Sequence, residues 1–328
     1  MSDQILVGDV GGTHARFAVV DVSVSPWQFG DALDLAEDFP TFAAALRSYL
    51  DRAGLPTMPK TIAIAVAGPV TAGTVTFTNR NWRISESELH ELGFSDALLI
   101  NDFAALAFAV TTLGPKDLHT IGPDLPGLEG ETISILGAGT GFGASSLARF
   151  RGRSVPVATE GGHAGFAPSD EREIAVLRVL LRRFDHVSIE RVLSGPGLEN
   201  LHSALAELGG RKAERLSAAE IVAHATADVD CRDAVQMFCA IYGTVAGDFA
   251  LTHGARGGVY LAGGIAQKIE PILANSQFRA RFESKGRLSG YVKSIPTRLI
   301  LSGNTAFLGA ARASLEFRSP NGGRLDHG

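Results

Sequence analysis

The sequence GDVGGTHARF, residues 8 to 17, joins two short apolar runs close to the start of the chain. The runs, 5–7 and 17–20, predict two buried strands with a glycine-rich turn between them. Because glycine lacks a Cβ, the backbone N–H groups of such a turn can approach an anion closely. A carboxylate beside a phosphate is repelled unless a cation lies between them, so Asp9 suggests Mg²⁺ bound through water. An ordinary hairpin that uses glycine for positive φ is the alternative interpretation.

Two further glycine-rich stretches follow apolar runs later in the chain. The first, GAGTGFG at 137–143, includes Thr140, whose hydroxyl is suited to a terminal phosphate. It also fits the G-x-G-x-x-A dinucleotide pattern, with Glu160 about 20 residues further on. The second, LAGGIAQK at 261–268, either ends a strand or lets backbone pass close to a nucleoside. No G-x-x-x-x-G-K followed by Ser or Thr occurs, which argues against a P-loop enzyme.

Composition and charge narrow the class of protein. The 328 residues are 45% hydrophobic and 20% charged, a balance typical of globular proteins. The net charge of −5 gives no support for nucleic-acid binding, which favours a basic excess. The two cysteines form no C-x-x-C pair, which argues against a disulfide framework or a structural zinc site. We expect a reduced, cytoplasmic protein, because neither a signal peptide nor a membrane-spanning apolar run is evident.

Strands and helices are predicted to alternate, as in an α/β protein with a largely buried, mixed sheet. The predicted strands are 5–7, 17–20, 62–67, 98–100, 133–136 and 259–262. The predicted helices are 41–53, 103–112, 174–184, 218–226, 232–253 and 305–317. Each half has an interrupted strand pair and a later strand that ends in Gly-Pro or Gly-Gly, which indicates two related lobes. We expect a smaller domain of 1–112 plus about 304–328 and a larger domain of 113–303.

The segment LLINDFAALAFA at 98–109 places Asn101 and Asp102 between a predicted strand and a predicted helix. Both residue types are favoured helix caps, which is one interpretation. The carboxyl ends of strands in α/β sheets are also where ligands bind. There a carboxylate can accept a proton from a substrate hydroxyl, and the neighbouring carboxamide can hold another hydroxyl.

Three more polar residues lie where they could contact a hydroxylated ligand. Glu160 and His163 belong to EGGHAGF, and Glu190 precedes the turn SGPG. An ordinary turn and a surface helix are the alternative interpretations. The spacing E-x-x-H recurs at Glu199 and His202, and paired copies on helices can bind two irons. The two glycines inside the first copy argue against a helix there, and against such a site.

Taken in order, these segments resemble those of bacterial glucokinases, within the sugar kinase, actin and heat-shock ATPase superfamily. The resemblance covers nearly the whole chain and rests on GDVGGTHARFAVVD, NDFAALAFA, LGAGTGFGAS, TEGGHAGFAP, IERVLSGPGLENL and VYLAGGIAQK. It implies a two-lobed actin-like ATPase fold (ribonuclease H-like), with a mixed α/β sheet in each lobe and a cleft between the lobes. The sequence lacks the cysteine-rich zinc motif and the N-terminal helix-turn-helix of the related repressor and kinase group.

The resemblance implies ATP-dependent phosphorylation of the 6-hydroxyl of glucose, the first step of glycolysis, with Mg²⁺. Asp102 corresponds to the general base, and Asp9 to the residue that binds Mg²⁺ through water. The predicted sugar-binding residues are Asn101, Asp102, Glu160, His163 and Glu190. The predicted ATP-binding residues are Gly8, Asp9, Val10, Gly11, Gly12, Thr13, Gly139, Thr140, Gly141, Gly263 and Gly264. The resemblance also implies a homodimer.

Three other functions stay open at this point. A kinase for another hexose, mannose or fructose, would share the motifs. A nucleotide-switched actin-like or sensor protein would turn over ATP slowly without sugar, and would leave Glu160, His163 and Glu190 without roles. A dinucleotide-dependent dehydrogenase would bind NAD through GAGTGFGA at 137–144. Arg16, beside the first glycine turn, either shares in phosphate binding or faces solvent.

Overall fold

The computed structural model describes residues 4–11, 14–35, 39–77, 82–212 and 214–317. The chain divides into two compact units, one of Met1–Leu113 with Gly303–Gly328 and one of Gly114–Ser302. The strands are β1 (Gln4–Val10), β2 (Ala15–Asp21), β3 (Gln28–Phe29), β4 (Leu33–Asp34), β5 (Thr61–Val66), β6 (Thr74–Thr76), β7 (Arg83–Ser85), β8 (Asp96–Asn101), β9 (Leu118–Thr120), β10 (Ile133–Ala138), β11 (Phe142–Phe150), β12 (Arg153–Thr159), β13 (Gly258–Ala262) and β14 (Thr297–Ile300). The helices are α1 (Phe42–Ala53), α2 (Glu86–Glu91), α3 (Asp102–Ala109), α4 (Glu171–Leu180), α5 (Gly195–Leu208), α6 (Ala218–His224), α7 (Val229–His253), α8 (Gly264–Lys268), α9 (Glu270–Ala274), α10 (Phe278–Glu283), α11 (Ser289–Lys293) and α12 (Thr305–Glu316).

The main sheet of the first unit has the strand order β3-β2-β1-β5-β8, with β4 also paired to β2. β1 is antiparallel to β2 and parallel to β5, which is parallel to β8. Every residue of β5 is buried, as expected for a parallel strand that is covered on both faces. The ring of Phe17 in β2 contacts those of Phe42 and Tyr49, which ties α1 to the sheet. α12 packs against α3, β1 and β5.

α3 and α12 approach each other closely because a glycine lies at their contact. A Cβ atom on Gly309 of α12 would lie 1.8 Å from the carbonyl oxygen of Ala105 in α3. Alanines fill the buried side of α3, and small side chains let helix backbones approach. This packing holds α3, and with it the residues at its start, directly after β8.

The main sheet of the second unit has the order β12-β11-β10-β13-β14-β9. β10 is antiparallel to β11 and parallel to β13, as β1 is to β2 and β5 in the first unit. The interrupted strand pairs seen in the sequence are therefore β1–β2 and β10–β11, and the internal repetition that they indicated is present in the topology of the sheets.

The core of the second unit is built around α7, which has 25 residues. The ring of Tyr242, fully buried near the middle of α7, contacts the rings of Phe142, Phe238 and Phe278. Among the helices in the described ranges, α7 alone is long and apolar enough to cross a membrane by those two criteria. However, 78% of its most apolar stretch is buried inside the fold, as in a core helix.

The predicted strands and helices are confirmed, with differences at their ends. α4 ends at Leu180, before the predicted end at Phe184, and α7 begins at Val229 before the predicted start. The earlier start of α7 follows from Asp228, whose carboxylate accepts the N–H of Cys231 and caps the helix. Elements that were not predicted include β12, β14, α2, α5 and α8–α11, although the Ser-Gly-Pro-Gly turn before α5 contains the serine that caps it, Ser194.

Candidate active site

The first glycine turn joins the antiparallel strands β1 and β2. Gly11 follows β1, and its N–H donates to the carbonyl oxygen of His14 across the turn at 3.0 Å. Among the described atoms, Cε1 of His14 would lie 3.7 Å from a Cβ placed on Gly11, which is an ordinary van der Waals contact. Gly12 and Thr13 lie outside the described residues, and their contacts with phosphate stay predictions.

Gly8 and Val10 lie within β1 and are buried. A Cβ on Gly8 would lie 3.1 Å from Cγ2 of Ile64 and 3.2 Å from the ring of Phe17, so glycine makes room here for packing within the sheet. The side chain of Val10 belongs to the core of the first unit. Gly8 and Val10 can therefore offer a nucleotide only their backbone atoms.

Arg16 lies opposite Asp9 in the register of β1 and β2 and binds its carboxylate. Nη2 of Arg16 donates to Oδ2 of Asp9 at 2.5 Å, and the two side chains are 33% and 19% exposed. The guanidinium carbon lies 5.4 Å from the ring centre of Phe307 in α12. Nε of Arg16 is buried and has no hydrogen-bond partner among the described residues. Arg16 is thus the ion-pair partner of Asp9.

Glu190 supports the second glycine loop, between β10 and β11. Its Oε2 accepts the N–H of Phe142 at 2.8 Å, and a Cβ on Gly141 would lie 2.5 Å from that oxygen. Gly139 closes the loop by donating its N–H to the carbonyl oxygen of Gly141 at 2.9 Å. Thr140, at the tip of the loop, is exposed. The contact of Glu190 within the fold is thus with the loop assigned to phosphate, and its contact with sugar stays a prediction.

The third glycine pair follows β13. Gly263 has a φ of +94°, and a Cβ there would lie 2.1 Å from the carbonyl oxygen of Ala138. Glycine is required at 263 because the backbone after β13 passes against the end of β10. A Cβ on Gly264 would meet no described atom within 4 Å. Gly264 is therefore the member of this pair with open space for a ligand.

Asn101 ends β8 and caps α3. Its Oδ1 accepts the N–H groups of Phe103 and Ala104, and its Nδ2 donates to the carbonyl oxygen of Gly68 and to Oδ1 of Asp102. The hydrogen-bonding capacity of this carboxamide is used largely within the fold. The capping interpretation of Asn101 is confirmed, and its contact with sugar stays a prediction.

Asp102 is the first residue of α3 and is partly buried. Burial raises the pKa of its carboxyl group to about 6, and the charge of Asp9 acts in the same direction. The N–H of Phe103 and the amide of Asn101 donate to Oδ1 and limit the rise. A carboxyl group with a pKa near neutral pH is suited to general-base catalysis.

Glu160 precedes a short 3-10 turn after β12 and His163 is the last residue of that turn, and both are exposed. Gly162, between them, packs on β11, since a Cβ there would lie 2.0 Å from the carbonyl oxygen of Phe142. The carbonyl oxygen of Gly162 also accepts the N–H of Glu190 at 2.9 Å. Glu190 therefore brings the Glu160–His163 turn and the second glycine loop together in the second unit.

Two residues of the first unit were missed or left open by the sequence analysis. Gly68, which holds the amide of Asn101 through its carbonyl oxygen, follows β5 in the stretch AGPV. A glycine at the end of a predicted strand was the sequence feature that could have identified Gly68, as it did Gly263. Arg16 could have been paired with Asp9 by counting outward from the turn, because residues equidistant from a hairpin turn face each other.

Comparison with known proteins identifies relatives over nearly the whole chain. The family model described as glucokinase matches residues 6–316. The glucokinase of Caulobacter sp. (strain K31) is 50% identical over 311 residues, which is 94% of each chain. The glucokinase of Caulobacter vibrioides (strain NA1000 / CB15N) is 51% identical over 313 residues, again 94% of each chain.

Solved structures agree with these relatives. The crystal structure of glucokinase from an Antarctic psychrotroph has a TM-score of 0.90 at 35% identity, over 96% of this chain and 99% of that chain. The ROK family glucokinase from Streptomyces griseus, in complex with glucose and AMPPNP, has a TM-score of 0.61 at 20% identity over 94% of this chain and 98% of that chain, and supports the fold alone. The predicted fold class is confirmed, and the chain belongs to the glucokinase family.

Proposed function

We propose that the chain transfers the γ-phosphoryl group of ATP to the 6-hydroxyl of glucose. Its membership of the glucokinase family supports this reaction. Asp102 supports it most directly. Its carboxyl group lies directly after β8 and is partly buried, and its pKa is raised to about 6. Near neutral pH such a group is largely ionised and can still accept a proton from an attacking hydroxyl.

In this reaction the sugar oxygen bonds to the γ-phosphorus as the bond between that phosphorus and the ADP oxygen breaks. The proton of the hydroxyl passes to the carboxylate of Asp102. Asn101 keeps that carboxylate in place, because its Nδ2 donates to Oδ1 of Asp102 while its own oxygen caps α3. Oδ2 of Asp102 is then the oxygen that takes the proton.

The phosphate groups are proposed to bind the first and second glycine turns. A Cβ on Gly139 would meet no described atom within 4 Å, and Thr140 offers an exposed hydroxyl. The carboxylate of Asp9 fits Mg²⁺, which prefers oxygen ligands and keeps several waters. When bound, Mg²⁺ would neutralise charge on the transferring phosphoryl group. Arg16 orders the Asp9 carboxylate through their ion pair.

Glu160, His163 and Glu190 are proposed to bind sugar hydroxyls. Glu160 and His163 are exposed at one turn, and Glu190 joins that turn to the second glycine loop. Selection of one hexose follows when each hydroxyl meets a fitted partner, because a missing hydroxyl leaves a polar group of the site unpaired.

The chain is further proposed to act as a cytoplasmic homodimer that binds neither nucleic acid nor membranes. Its net charge of −5 supports the absence of nucleic-acid binding. The dimer is inferred from the family resemblance. Sedimentation velocity measures the mass directly, and a mass equal to one chain at all concentrations would contradict the dimer.

A coupled assay for ADP release, with and without glucose, tests the proposed reaction. We expect ADP formation that depends on both glucose and Mg²⁺. Mannose and fructose in the same assay separate a glucokinase from a kinase of another hexose. ADP release that is equal with and without every sugar would contradict the proposal and favour a nucleotide-switched protein. Binding of NAD without binding of ATP would favour a dehydrogenase.

A further inference from the structure

Three side chains of types that bind metal ions lie together in the second unit, apart from the segments described above. They are His202 of α5, Asp228 immediately before α7, and Cys231 in the first turn of α7. One ring nitrogen, one carboxylate oxygen and the thiol sulfur lie within 4.8 Å of one another. Imidazole, carboxylate and thiolate are the three protein ligands of zinc.

His202 is nearly buried, yet its ring nitrogens can still bind a ligand. The residue is only 5% exposed, and its ring interacts electrostatically with the carboxylate of Asp228. The ring nitrogens of His202 are not among the fully buried side-chain atoms that lack a partner in the described ranges, so they reach solvent and can exchange water for a metal ion. The ring of His202 is directed at Asp228 and Cys231, so a ligand between these three groups would contact all three.

The backbone fixes the other two groups side by side. Asp228 caps α7, and one of its oxygens, Oδ1, accepts the N–H of Cys231 at 2.8 Å. Asp228 is exposed, so an ion could enter past it, whereas Cys231 is 1% exposed. The charges nearest to the thiol are the carboxylates of Asp228, Asp230 and Glu214. Arg211 pairs with Asp230, and its positive charge also acts on Asp228, whereas the carboxylate of Glu214 adds negative charge near the thiol.

We propose that His202, Asp228 and Cys231 bind a Zn²⁺-class divalent ion, with water as the fourth ligand. A thiol and an imidazole favour such an ion over Mg²⁺, which prefers oxygen. Tetrahedral zinc with bonds of about 2.0–2.3 Å places its ligand atoms about 3.3–3.8 Å apart, so small side-chain rotations would close the site. The thiol gives its proton to solvent as the Zn–S bond forms. The ion would join α5 to the start of α7.

This site is independent of the proposed kinase reaction. Its ligands come from two elements, with 25 residues between His202 and Asp228, so they do not form a C-x-x-C or similar local pattern. Glu199, the other half of the E-x-x-H spacing, accepts the N–H of Ala218 instead. The missing C-x-x-C pair argued against a zinc site formed by neighbouring cysteines, and it does not argue against a site whose ligands come from two elements.

Titration of the full chain with Co²⁺ tests the proposal, because a Co²⁺–thiolate bond gives a charge-transfer absorption band. We expect one Co²⁺ per chain with this band, and its loss when Zn²⁺ is added. Cys231→Ser should remove the band. Cys239→Ser is the matched control, since Cys239 lies in the same helix, is also buried, and is absent from the cluster. Absence of the band in the unmodified chain, or its survival in Cys231→Ser, overturns the proposal.

His202→Gln and Asp228→Asn provide a second measurement if Cys231→Ser does not fold. Each should weaken Co²⁺ binding by at least about tenfold. Zn²⁺ should raise the melting temperature of the unmodified chain and of Cys239→Ser, and should raise it less in His202→Gln. Co²⁺ affinity that is equal in the unmodified chain and in both variants also overturns the proposal.

Discussion

Asp102 and its neighbour Asn101 have different tasks, although both residue types cap helices. The side-chain oxygen of Asn101 accepts two backbone N–H groups, and its side-chain nitrogen donates to two acceptors. Asp102 receives two of its bonds at Oδ1 and is dehydrated by burial. The pattern Asn-Asp after a strand predicted the pair. The pattern could not predict which of the two residues caps α3 and which is the buried carboxyl group, because that depends on the direction of each side chain.

Asp102→Asn should lower the turnover number by about 10²–10⁴-fold, because the proposed general base is lost. The carboxyl pKa of about 6 lies above its ordinary value, so turnover of the unmodified enzyme should rise as the pH passes through about 6 and the carboxylate forms. Initial rates across the pH range measure this acidic limb. A melting temperature that falls sharply, with turnover per folded molecule preserved, would instead favour a purely structural role.

Arg16→Gln should move the acidic limb to higher pH. Removal of the guanidinium leaves the charge of Asp9 unpaired, and that charge already raises the pKa of Asp102. Arg312→Gln is the matched control, because Arg312 pairs with Glu316 on α12 in the same unit. Equal pH profiles in the two variants would show that the ion pair does not shield Asp102.

At the scale of elements, the second and third glycine turns depend on residues that are distant in the sequence. Gly263 needs its glycine because the end of β10 passes against it, and the second loop is held by Glu190, which lies after α4. Local composition predicted all three turns. Which glycine leaves room for a ligand and which serves packing follows only from the neighbouring strands.

Glu190→Ala should raise the KM of ATP as well as the KM of glucose. The expected change is about tenfold or more in each, because a hydrogen bond to a charged group is lost from the loop. His163→Ala should raise the KM of glucose alone, since His163 lies at the exposed turn. Steady-state kinetics with each substrate varied separates the two outcomes. An unchanged KM of ATP in Glu190→Ala would remove the proposed support of the phosphate loop.

Gly309→Ala should destabilise the fold by about 1–3 kcal/mol, because its Cβ would overlap the backbone of Ala105 in α3. Thermal unfolding measures the effect. Gly290→Ala is the matched control, because a Cβ on Gly290 of α11 would meet no described atom within 4 Å, and alanine favours helix. Equal melting temperatures in both variants would show that α3 and α12 can move apart without a loss of stability.

At the scale of the whole molecule, the two units repeat one arrangement of strands, although their sequences differ. In each sheet an antiparallel pair is followed by parallel strands, and the glycine turns lie in corresponding connections. The repeated order of apolar runs was enough to predict this. Among the described residues, one hydrophobic cluster lies within the first unit and another lies within the second.

Glucose should raise the melting temperature of the chain in proportion to the logarithm of its concentration. A hundredfold excess over Kd stabilises the native state by about 2.7 kcal/mol. Asp102→Asn should keep much of this shift, since the proposed base acts on the proton rather than on sugar binding alone. A shift with mannose or fructose but none with glucose would favour a kinase of another hexose.

The sequence by itself determined the α/β class, the alternating order of strands and helices, and the family, because burial periodicity and glycine turns are local features of the chain. Only the tertiary structure decided how the polar residues are used. Arg16 binds Asp9, Asn101 caps a helix and Glu190 supports a glycine loop, and each role needs a partner that folding brings close. The cluster of His202, Asp228 and Cys231 arises in the same way, since two packed elements supply its members.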